Sequence, residues 1–323
     1  MKKLIAILMT MMMAAAMIPA GAENAGDAPL VTLFDAAKKL MLDTNNVTVE
    51  AFGNFSLNGI PFKYAQAQFM QDGSDSCQRV EMRTPQEDGE ETSSDYTVVS
   101  LDGMIYVEKH YQGKEFKLAG TDDAVFSVIT PSYETDQLAA LGRLVVLTVD
   151  QIAGGKTEIT PLEDAGKWYE LALTEADIPE IANVAAGFLF QYLAKHYYGK
   201  DLSLPRYAEE WTFEYFDTVG YAIVETTDAL RIKSLNLYAE LDGKGRVVSI
   251  SGDGVLTLIS KYNGEHSLEF NASLSAGMYG ETMVREEGEI SDWMVEANEA
   301  FTNDNLDQYL KLINAIYQEN ENQ

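Results

Sequence analysis

The chain has 323 residues, 46% of them hydrophobic, and its 51 acidic residues against 23 basic ones give a formal net charge of −28. This charge repels phosphate backbones and anionic membrane surfaces, so it excludes nucleic-acid binding as a function class. The single cysteine, Cys77, excludes an intrachain disulfide and a zinc site built on cysteines, and stability must therefore come from a hydrophobic core.

The first 22 residues have the three parts of a secretory signal peptide. Lys2 and Lys3 precede an apolar run over residues 4–18, and the small residues Ala20-Gly21-Ala22 follow. The pattern predicts cleavage before Glu23 and a secreted or extracytoplasmic protein. No cysteine follows the predicted cleavage site, which argues against a lipid anchor, and no later stretch is apolar enough to span a membrane.

The first predicted helix runs from Thr32 to Asp43, where apolar residues recur at helical spacing. Asn58-Gly59 is the strongest short hairpin signal in the chain, and Asp102-Gly103 is a second one. A two-residue turn at Asp102-Gly103 gives that hairpin apolar residues on both faces, so it is predicted to be covered on both sides. The pairs and positions concerned are Leu101 with Met104, Val99 with Tyr106, and Val98, Ile105 and Val107 on the other face.

The middle of the chain is predicted as helix, strand and helix over residues 135–152, 167–173 and 178–198. Thr174 and Asp177 are candidate helix caps. The third segment has a wide apolar face that includes Phe188, Leu189 and Tyr192. Within residues 200–229, the pattern from 211 to 215 alternates like a strand, whereas residues 216–228 fit either a strand or a helix. Four aromatic residues alternate along predicted strands and are interpreted as core rather than as a carbohydrate-binding surface: Trp168, Trp211, Phe213 and Tyr215.

The last predicted sheet is a meander of alternating strands that ends before a terminal amphipathic helix from Ser291. Leu235, Leu237 and Leu241 alternate with polar residues. A two-residue turn at Asn263-Gly264 pairs apolar residues across the next hairpin. Gly252-Asp253-Gly254 is predicted as a bulge or kink. The predicted pairs are Ile259 with Leu268, Thr257 with Phe270, and Val255 with Ala272.

This order of elements predicts an α+β fold, in which a curved antiparallel sheet, an incomplete barrel, is wrapped over helices and a C-terminal helix is added. The predicted organisation is a signal peptide at residues 1–22, a flexible lead at 23–29, a single α+β domain at 30–288 and a C-terminal helical extension at 289–323. No fixed-period repeat and no linker rich in proline or serine interrupts this domain.

The pattern resembles the lipoprotein-carrier superfamily, which includes the LolA and LppX/LprG types. The resemblance extends over residues 30–285 and rests on the N-terminal helix, the two early hairpins and the strand pair 230–241 and 246–259. It implies an incomplete antiparallel barrel closed by helices, with an acyl chain held between them. No functional residue is carried over from the resemblance.

The motif search predicts no catalytic residue, no cofactor and no metal. The three histidines, His110, His196 and His266, have no partner at metal-like or catalytic spacing and are interpreted as structural or surface residues. Asp72-Gly73-Ser74-Asp75 has oxygen ligands suited to calcium, but it is interpreted as a plain turn. The many acidic residues leave carboxylate-dependent hydrolysis open, so enzyme activity is undecided with a non-enzyme favoured.

The favoured hypothesis is an exported envelope protein that binds a lipid or another apolar small molecule between sheet and helices. The alternative is a non-catalytic module without a cavity, which binds a glycan or a protein. Neither hypothesis includes nucleic acid or an integral membrane span. The predicted apolar ligand site consists of Phe188, Leu189, Tyr192, Leu235, Leu237, Val255, Ile259 and Phe270.

Overall fold

The structure is a computed structural model that describes residues 28–85, 91–111, 114–121, 143, 146–147, 149–150, 154–180, 182–184, 186–187, 227, 229–260 and 264–300. Contacts divide the chain into two compact units. Unit 1 contains the described residues of Met1–Thr44, Ala51–Tyr64 and Ser132–Ala276, and unit 2 those of Asn45–Glu50, Ala65–Pro131 and Gly277–Gln323. Within the described residues, we find no helix with the length and apolar character needed to cross a membrane.

Strands dominate the described part of the chain. They are β1 (Asn46–Leu57), β2 (Ile60–Asp72), β3 (Asp75–Pro85), β4 (Glu91–Leu101), β5 (Met104–Tyr111), β6 (Lys114–Thr121), β7 (Glu158–Pro161), β8 (Lys167–Thr174), β9 (Ala229–Leu241), β10 (Val247–Ser260) and β11 (Gly264–Gly277). The helices with described bounds are α1 (Pro29–Leu42), α2 (Val284–Glu287) and α3 (Asp292–Ala300). The predicted helices at 135–152 and 178–198 fall mostly outside the described residues, but residues 143–150 and 182–187 are helical wherever they are described.

The predicted fold, an incomplete barrel wrapped over helices, is wrong. The eleven described strands form an open antiparallel sheet in the order β6-β5-β4-β3-β2-β1-β11-β10-β9-β8-β7, and the described helices are few and short. Apolar alternation specifies each strand and its neighbour, but a barrel also needs a fixed strand tilt and stagger and pairing between its two ends. Here β6 and β7 lie at opposite edges of the sheet.

Both early hairpin turns are confirmed. Asn58 and Gly59 have φ angles of 53° and 77°, and Asp102 and Gly103 have 51° and 83°. Two successive positive φ angles are the signature of the type I′ turn that suits the twist of paired strands. Asn58 also binds β11 through two hydrogen bonds to Ser267. The Asn58 side-chain Oδ1 accepts the Ser267 backbone amide at 2.9 Å, and the Asn58 backbone amide donates to the Ser267 carbonyl at 2.7 Å.

In unit 1, α1 begins three residues before the predicted Thr32, at Pro29. Proline suits the first helical position because the missing amide has no partner there in any case. The residue before it, Ala28, offers no capping side chain. The carboxylate of Asp150 takes that role instead, accepting the Leu30 amide at 2.8 Å, and burial raises the pKa of Asp150.

The register of β10 differs from the prediction. Ser260 pairs with Gly264, whereas the prediction placed a two-residue turn at Asn263-Gly264. The difference shifts the pairing by three residues, and an odd shift exchanges the two faces of a strand. Leu256 and Leu258 are therefore buried, at 6% and 0% exposure. Val255 and Ile259, which were predicted to share the face of Phe270, lie on the opposite face and are only half-buried.

The segment Gly252-Asp253-Gly254 forms a continuous part of β10, and the register shifts occur on either side of it. A Cβ on Gly254 would lie 2.6 Å from the Ser234 carbonyl oxygen and 2.9 Å from the Phe270 ring. Glycine is required there because the ring of Phe270 occupies the space that a side chain would need. The predicted bulge does not fall on these three residues, but a register shift follows directly between Val255 and Leu256. The two glycines allow close packing on the buried face.

In unit 2, both faces of the β4–β5 hairpin are buried, as predicted. Val99 pairs with Tyr106 on one face, and both residues have 0% exposure. Ile105 and Val107 are equally buried on the other face. The first face is part of an apolar cluster that also receives residues from the C-terminal segment: the cluster contains Met70, Cys77, Val99, Leu101, Met104, Tyr106, Ala119, Val284 and Met294.

Polar contacts at two points hold the C-terminal segment of unit 2 in place. The Arg285 guanidinium donates to Asp75 at 2.8 Å and is 2.7 Å from an oxygen of Asp102. The carboxylate of Glu108 accepts hydrogen bonds from the Ser291 hydroxyl and the Trp293 indole, both at 2.6 Å. The described C-terminal residues therefore pack on strands of their own unit.

Cys77 is a packed core residue of unit 2. Its side chain is 3% exposed, and its sulfur accepts the Glu289 amide at 3.3 Å. Burial raises the pKa of the Cys77 thiol to about 11. At pH 8 the native protein therefore contains little of the thiolate that reacts with electrophiles.

We expect Cys77 to react with a thiol reagent at pH 8 at least about a hundredfold more slowly in the native protein than in urea, since unfolding returns its pKa to an ordinary value. Absorbance with a chromogenic disulfide reagent measures both rates, and no other cysteine contributes. The control is Ser74→Cys in a Cys77→Ser background, because Ser74 lies in an exposed turn. Equal reaction rates of the two native proteins with the thiol reagent would contradict the assignment of Cys77 as a buried thiol with a raised pKa.

Candidate functional site

The apolar site predicted from the sequence is only partly assembled. Leu235, Leu237 and Phe270 are 0%, 5% and 4% exposed and lie on the buried face of β9 and β11 in unit 1. Val255 and Ile259 lie on the other face because of the changed register of β10. The predicted site residues that fall outside the described part of the chain are Phe188, Leu189 and Tyr192.

The described start of the predicted 178–198 helix packs directly against β9. The Asn183 side chain accepts the Ile232 amide at 2.9 Å, and this contact is buried. A Cβ on Gly187 would lie 3.4 Å from the Leu230 amide nitrogen. Ala182 and Ala186, on the same segment, are 0% and 1% exposed. Small residues and a short hydrogen bond leave no room for an acyl chain at this point.

The face of β7–β11 that points away from this packing is polar, and we call it the polar face. Directly opposite residues of antiparallel strands share a face, so the register of the strand pairs defines its members. They are Glu158 and Thr160; Trp168, Glu170, Ala172 and Thr174; Ala229, Arg231, Ser234, Asn236, Tyr238 and Glu240; Ser249, Ser251, Asp253, Val255, Thr257 and Ile259; and Glu265, Ser267, Glu269, Asn271, Ser273 and Ser275.

Two aromatic rings stand on the polar face. The ring centroids of Trp168 and Tyr238 are 6.2 Å apart with an interplanar angle of 32°, and both side chains are half-buried. We call these residues the aromatic pair. The prediction that Trp168 belongs to the core is wrong, since the neighbouring Tyr169 is the buried residue, at 3% exposure. Burial also raises the pKa of Tyr169.

Carboxylates alternate with the rings. Trp168 pairs with Glu240 and Glu170 pairs with Tyr238, so rings and carboxylates occupy opposite diagonals of a square. Glu158 on β7 stands directly opposite Glu170. None of these three carboxylates forms an ion pair with another described residue. The aromatic pair is thus surrounded by negative charge.

Next to the aromatic pair, hydrogen-bonding groups continue across the polar face. Asn236 and Asn271 stand on either side of Asp253, and the Asn236 amide donates to the Asp253 carboxylate at 2.9 Å. Ser251 pairs with Tyr238 on one side and Ser273 on the other. The polar face therefore combines two flat rings with short donors and acceptors in a regular array.

The two described histidines, His110 and His266, contact polar side chains. In unit 2, His110 Nδ1 is 2.9 Å from Asp95, and its Nε2 is 3.5 Å from Glu108. Ser291 donates its hydroxyl proton to Glu108 rather than to the imidazole, whereas an activated nucleophile would donate to the base. In unit 1, His266 contacts the Asn58 side chain at 3.1 Å. His196 lies outside the described residues.

The turn at Asp72-Gly73-Ser74-Asp75 uses its carboxylates for structure. Asp72 accepts the Asn46 amide at 2.9 Å, and Asp75 accepts from Arg285 at 2.8 Å. Among the described residues, no group of three or more His, Cys, Asp or Glu side chains has an arrangement that could hold a metal ion. The turn interpretation therefore accounts for both carboxylates.

No protein-family model and no curated protein matches this chain. Among solved structures, it is similar to a DUF1329 family protein from Desulfovibrio piger, with 10% identity, a TM-score of 0.21, and coverage of 82% of this chain and 95% of that one. It is also similar to an N-terminal dehydratase from the difficidin assembly line, with 10% identity, a TM-score of 0.15, and coverage of 77% and 84%. At these TM-scores neither similarity carries an argument, and the lipoprotein-carrier resemblance stays a prediction.

We expect Asn183→Ala to destabilise the protein by about 1–3 kcal/mol, because the buried Ile232 amide would lose its acceptor. Urea unfolding followed by circular dichroism measures the change. Asn271→Ala is the matched control, since Asn271 is exposed on the polar face, and its effect should stay within about 0.5 kcal/mol. Equal effects of the two substitutions would show that the Asn183 contact does not stabilise the fold.

Proposed function

We propose that this chain is an exported, non-catalytic binding protein that recognises a glycan on its polar face. The observation that carries the proposal is the aromatic pair, Trp168 and Tyr238, standing on an otherwise polar sheet surface. A sugar ring has an apolar C–H surface and a rim of hydroxyl groups. Aromatic rings cover the apolar C–H surface, and short polar side chains form hydrogen bonds with the hydroxyl groups.

The composition of the polar face favours a glycan over a protein partner. Protein interfaces usually depend on a desolvated apolar centre with a few large anchors. Around the aromatic pair, the polar face instead carries serine, asparagine and acidic residues. The indole N–H of Trp168 and the hydroxyl of Tyr238 have no hydrogen-bond partner among the described residues, so both can bind a hydroxylated ligand.

Export is part of the proposal and is supported by Lys2, Lys3, the apolar run over residues 4–18 and the small residues that follow. Extracytoplasmic glycans are within reach of a protein in that compartment. If the signal peptide is cleaved as we propose, N-terminal sequencing of the mature protein will begin at Glu23. A mature protein that begins at Met1 would contradict cleavage.

We expect Trp168→Ala and Tyr238→Ala each to weaken binding to an oligosaccharide found on a glycan array by about tenfold or more, because each removes a ring that stacks on the sugar. Isothermal titration calorimetry measures the affinity, and circular dichroism checks that the variants fold. Ile159→Ala is the control, since Ile159 is 45% exposed on β7 but stands opposite Tyr169, away from the polar face. Unchanged affinity in both aromatic variants, or an array without signal, would contradict glycan binding on this face.

A second candidate is binding of a lipid or another apolar molecule at the buried face of unit 1. The observation that favours it is the apolar buried face of the four neighbouring strands β8–β11, which includes Leu171, Leu235, Leu237 and Phe270. Native mass spectrometry after mild extraction tests it directly. A bound lipid that is lost in Leu237→Trp would support this candidate, whereas spectra of the ligand-free mass alone would count against it.

A further inference from the structure

The negative charge around the aromatic pair indicates which chemical class of glycan the polar face would bind. This inference rests on the proposed function. Three carboxylates, Glu158, Glu170 and Glu240, occupy the register positions next to the two rings. Like charges directly opposite each other destabilise a strand pair, and Glu158 and Glu170 have this arrangement. A neutral glycan would leave that repulsion in place, and an acidic glycan would increase it.

Among the described residues of unit 1, no basic side chain occupies a register position beside this group. Arg231 lies on the polar face, but it stands opposite Thr257, toward the other end of β9 from Tyr238 and Glu240. Lys233 is bound to Glu175 at 2.8 Å, and Arg246 is bound to Asp242 at 2.7 Å. Lys167 precedes Trp168, but the alternation of β8 places it on the other face. The register positions around the aromatic pair therefore contain negative charge without a described cation beside it.

We propose that the polar face binds a glycan with free amino groups, an amino sugar in its protonated form. An ammonium group beside the rings gains cation–π attraction from Trp168 and Tyr238. The same group donates charge-assisted hydrogen bonds to Glu170 and Glu240, which lie on the other diagonal of the square. A single ammonium group is thus contacted by two rings and two carboxylates.

The spacing fits this assignment. Side chains directly opposite each other on antiparallel strands are about 5 Å apart at Cβ, so each carboxylate reaches the space over the neighbouring ring. The rings, 6.2 Å apart, stack on the sugar, while Ser251 and Asn236 bind its hydroxyl groups. The two rings then contact both the sugar ring and its amino group, whereas the two carboxylates contact the amino group alone.

The test compares two probes by isothermal titration calorimetry: a glucosamine oligomer and its fully N-acetylated, neutral counterpart, at a pH where the free amine is protonated. We expect the glucosamine oligomer to bind at least about tenfold more tightly, because only it carries an ammonium group. Raising the salt from about 50 to 500 mM should reduce that preference.

Variants separate this inference from the proposed function. Glu170→Gln and Glu240→Gln should each weaken glucosamine-oligomer binding by about tenfold and leave binding of the N-acetylated oligomer unchanged. Glu281→Gln, an exposed carboxylate in unit 2, is the matched control. Trp168→Ala should weaken the binding of both oligomers.

The outcomes are distinguishable. Equal binding of the two oligomers, or unchanged glucosamine binding in both glutamine variants, would overturn the amino-sugar assignment while glycan binding stands. If neither oligomer binds but a short lysine peptide does, both the assignment and the glycan function are overturned in favour of a basic peptide ligand. Binding of none of the three probes would overturn the assignment.

Discussion

The alternation of side chains across β8–β11 is the constraint on which the rest of unit 1 depends. Each residue of a strand points to the face opposite its neighbours, so the register of each strand pair decides which side chains are buried. In β10 the pairing of Ser260 with Gly264 fixes a register in which Leu256 and Leu258 lie in the core. The same register places Asp253 in the polar array beside Asn236. The apolar core and the proposed recognition surface are therefore two faces of one set of pairings.

The sequence predicted the parts of the fold that local chemistry determines. Asn58-Gly59 and Asp102-Gly103 form their turns because these residue types tolerate positive φ. The burial of the β4–β5 hairpin on both faces was predicted from the apolar residues on both sides of its strands. The β10–β11 register was predicted wrongly because β10 carries apolar residues at adjacent positions, so either face looked apolar. An open sheet could not be distinguished from a barrel, since closure depends on strands far apart in the chain.

The aromatic pair could have been found from the sequence. In Lys167–Thr174, Tyr169, Leu171 and Leu173 share one face and Trp168 shares the other with Glu170, so alternation alone separates the tryptophan from the core. Its pairing with Tyr238 and Glu240 could not be found, because it requires β8 and β9 to be neighbours, and more than fifty residues of sequence separate them. Charges at the site converge through non-local pairing, which sequence periodicity does not encode.

The edge strand β7 has a consequence for self-association. An exposed sheet edge presents free amide and carbonyl groups to any other extended chain, and long apolar edges promote aggregation. β7 has four residues, begins with Glu158 and ends with Pro161, which has no amide proton to donate. A strand of this kind is a poor template for a second copy. We therefore expect the short, charged strand beside the polar face to disfavour edge-to-edge pairing between copies of the chain.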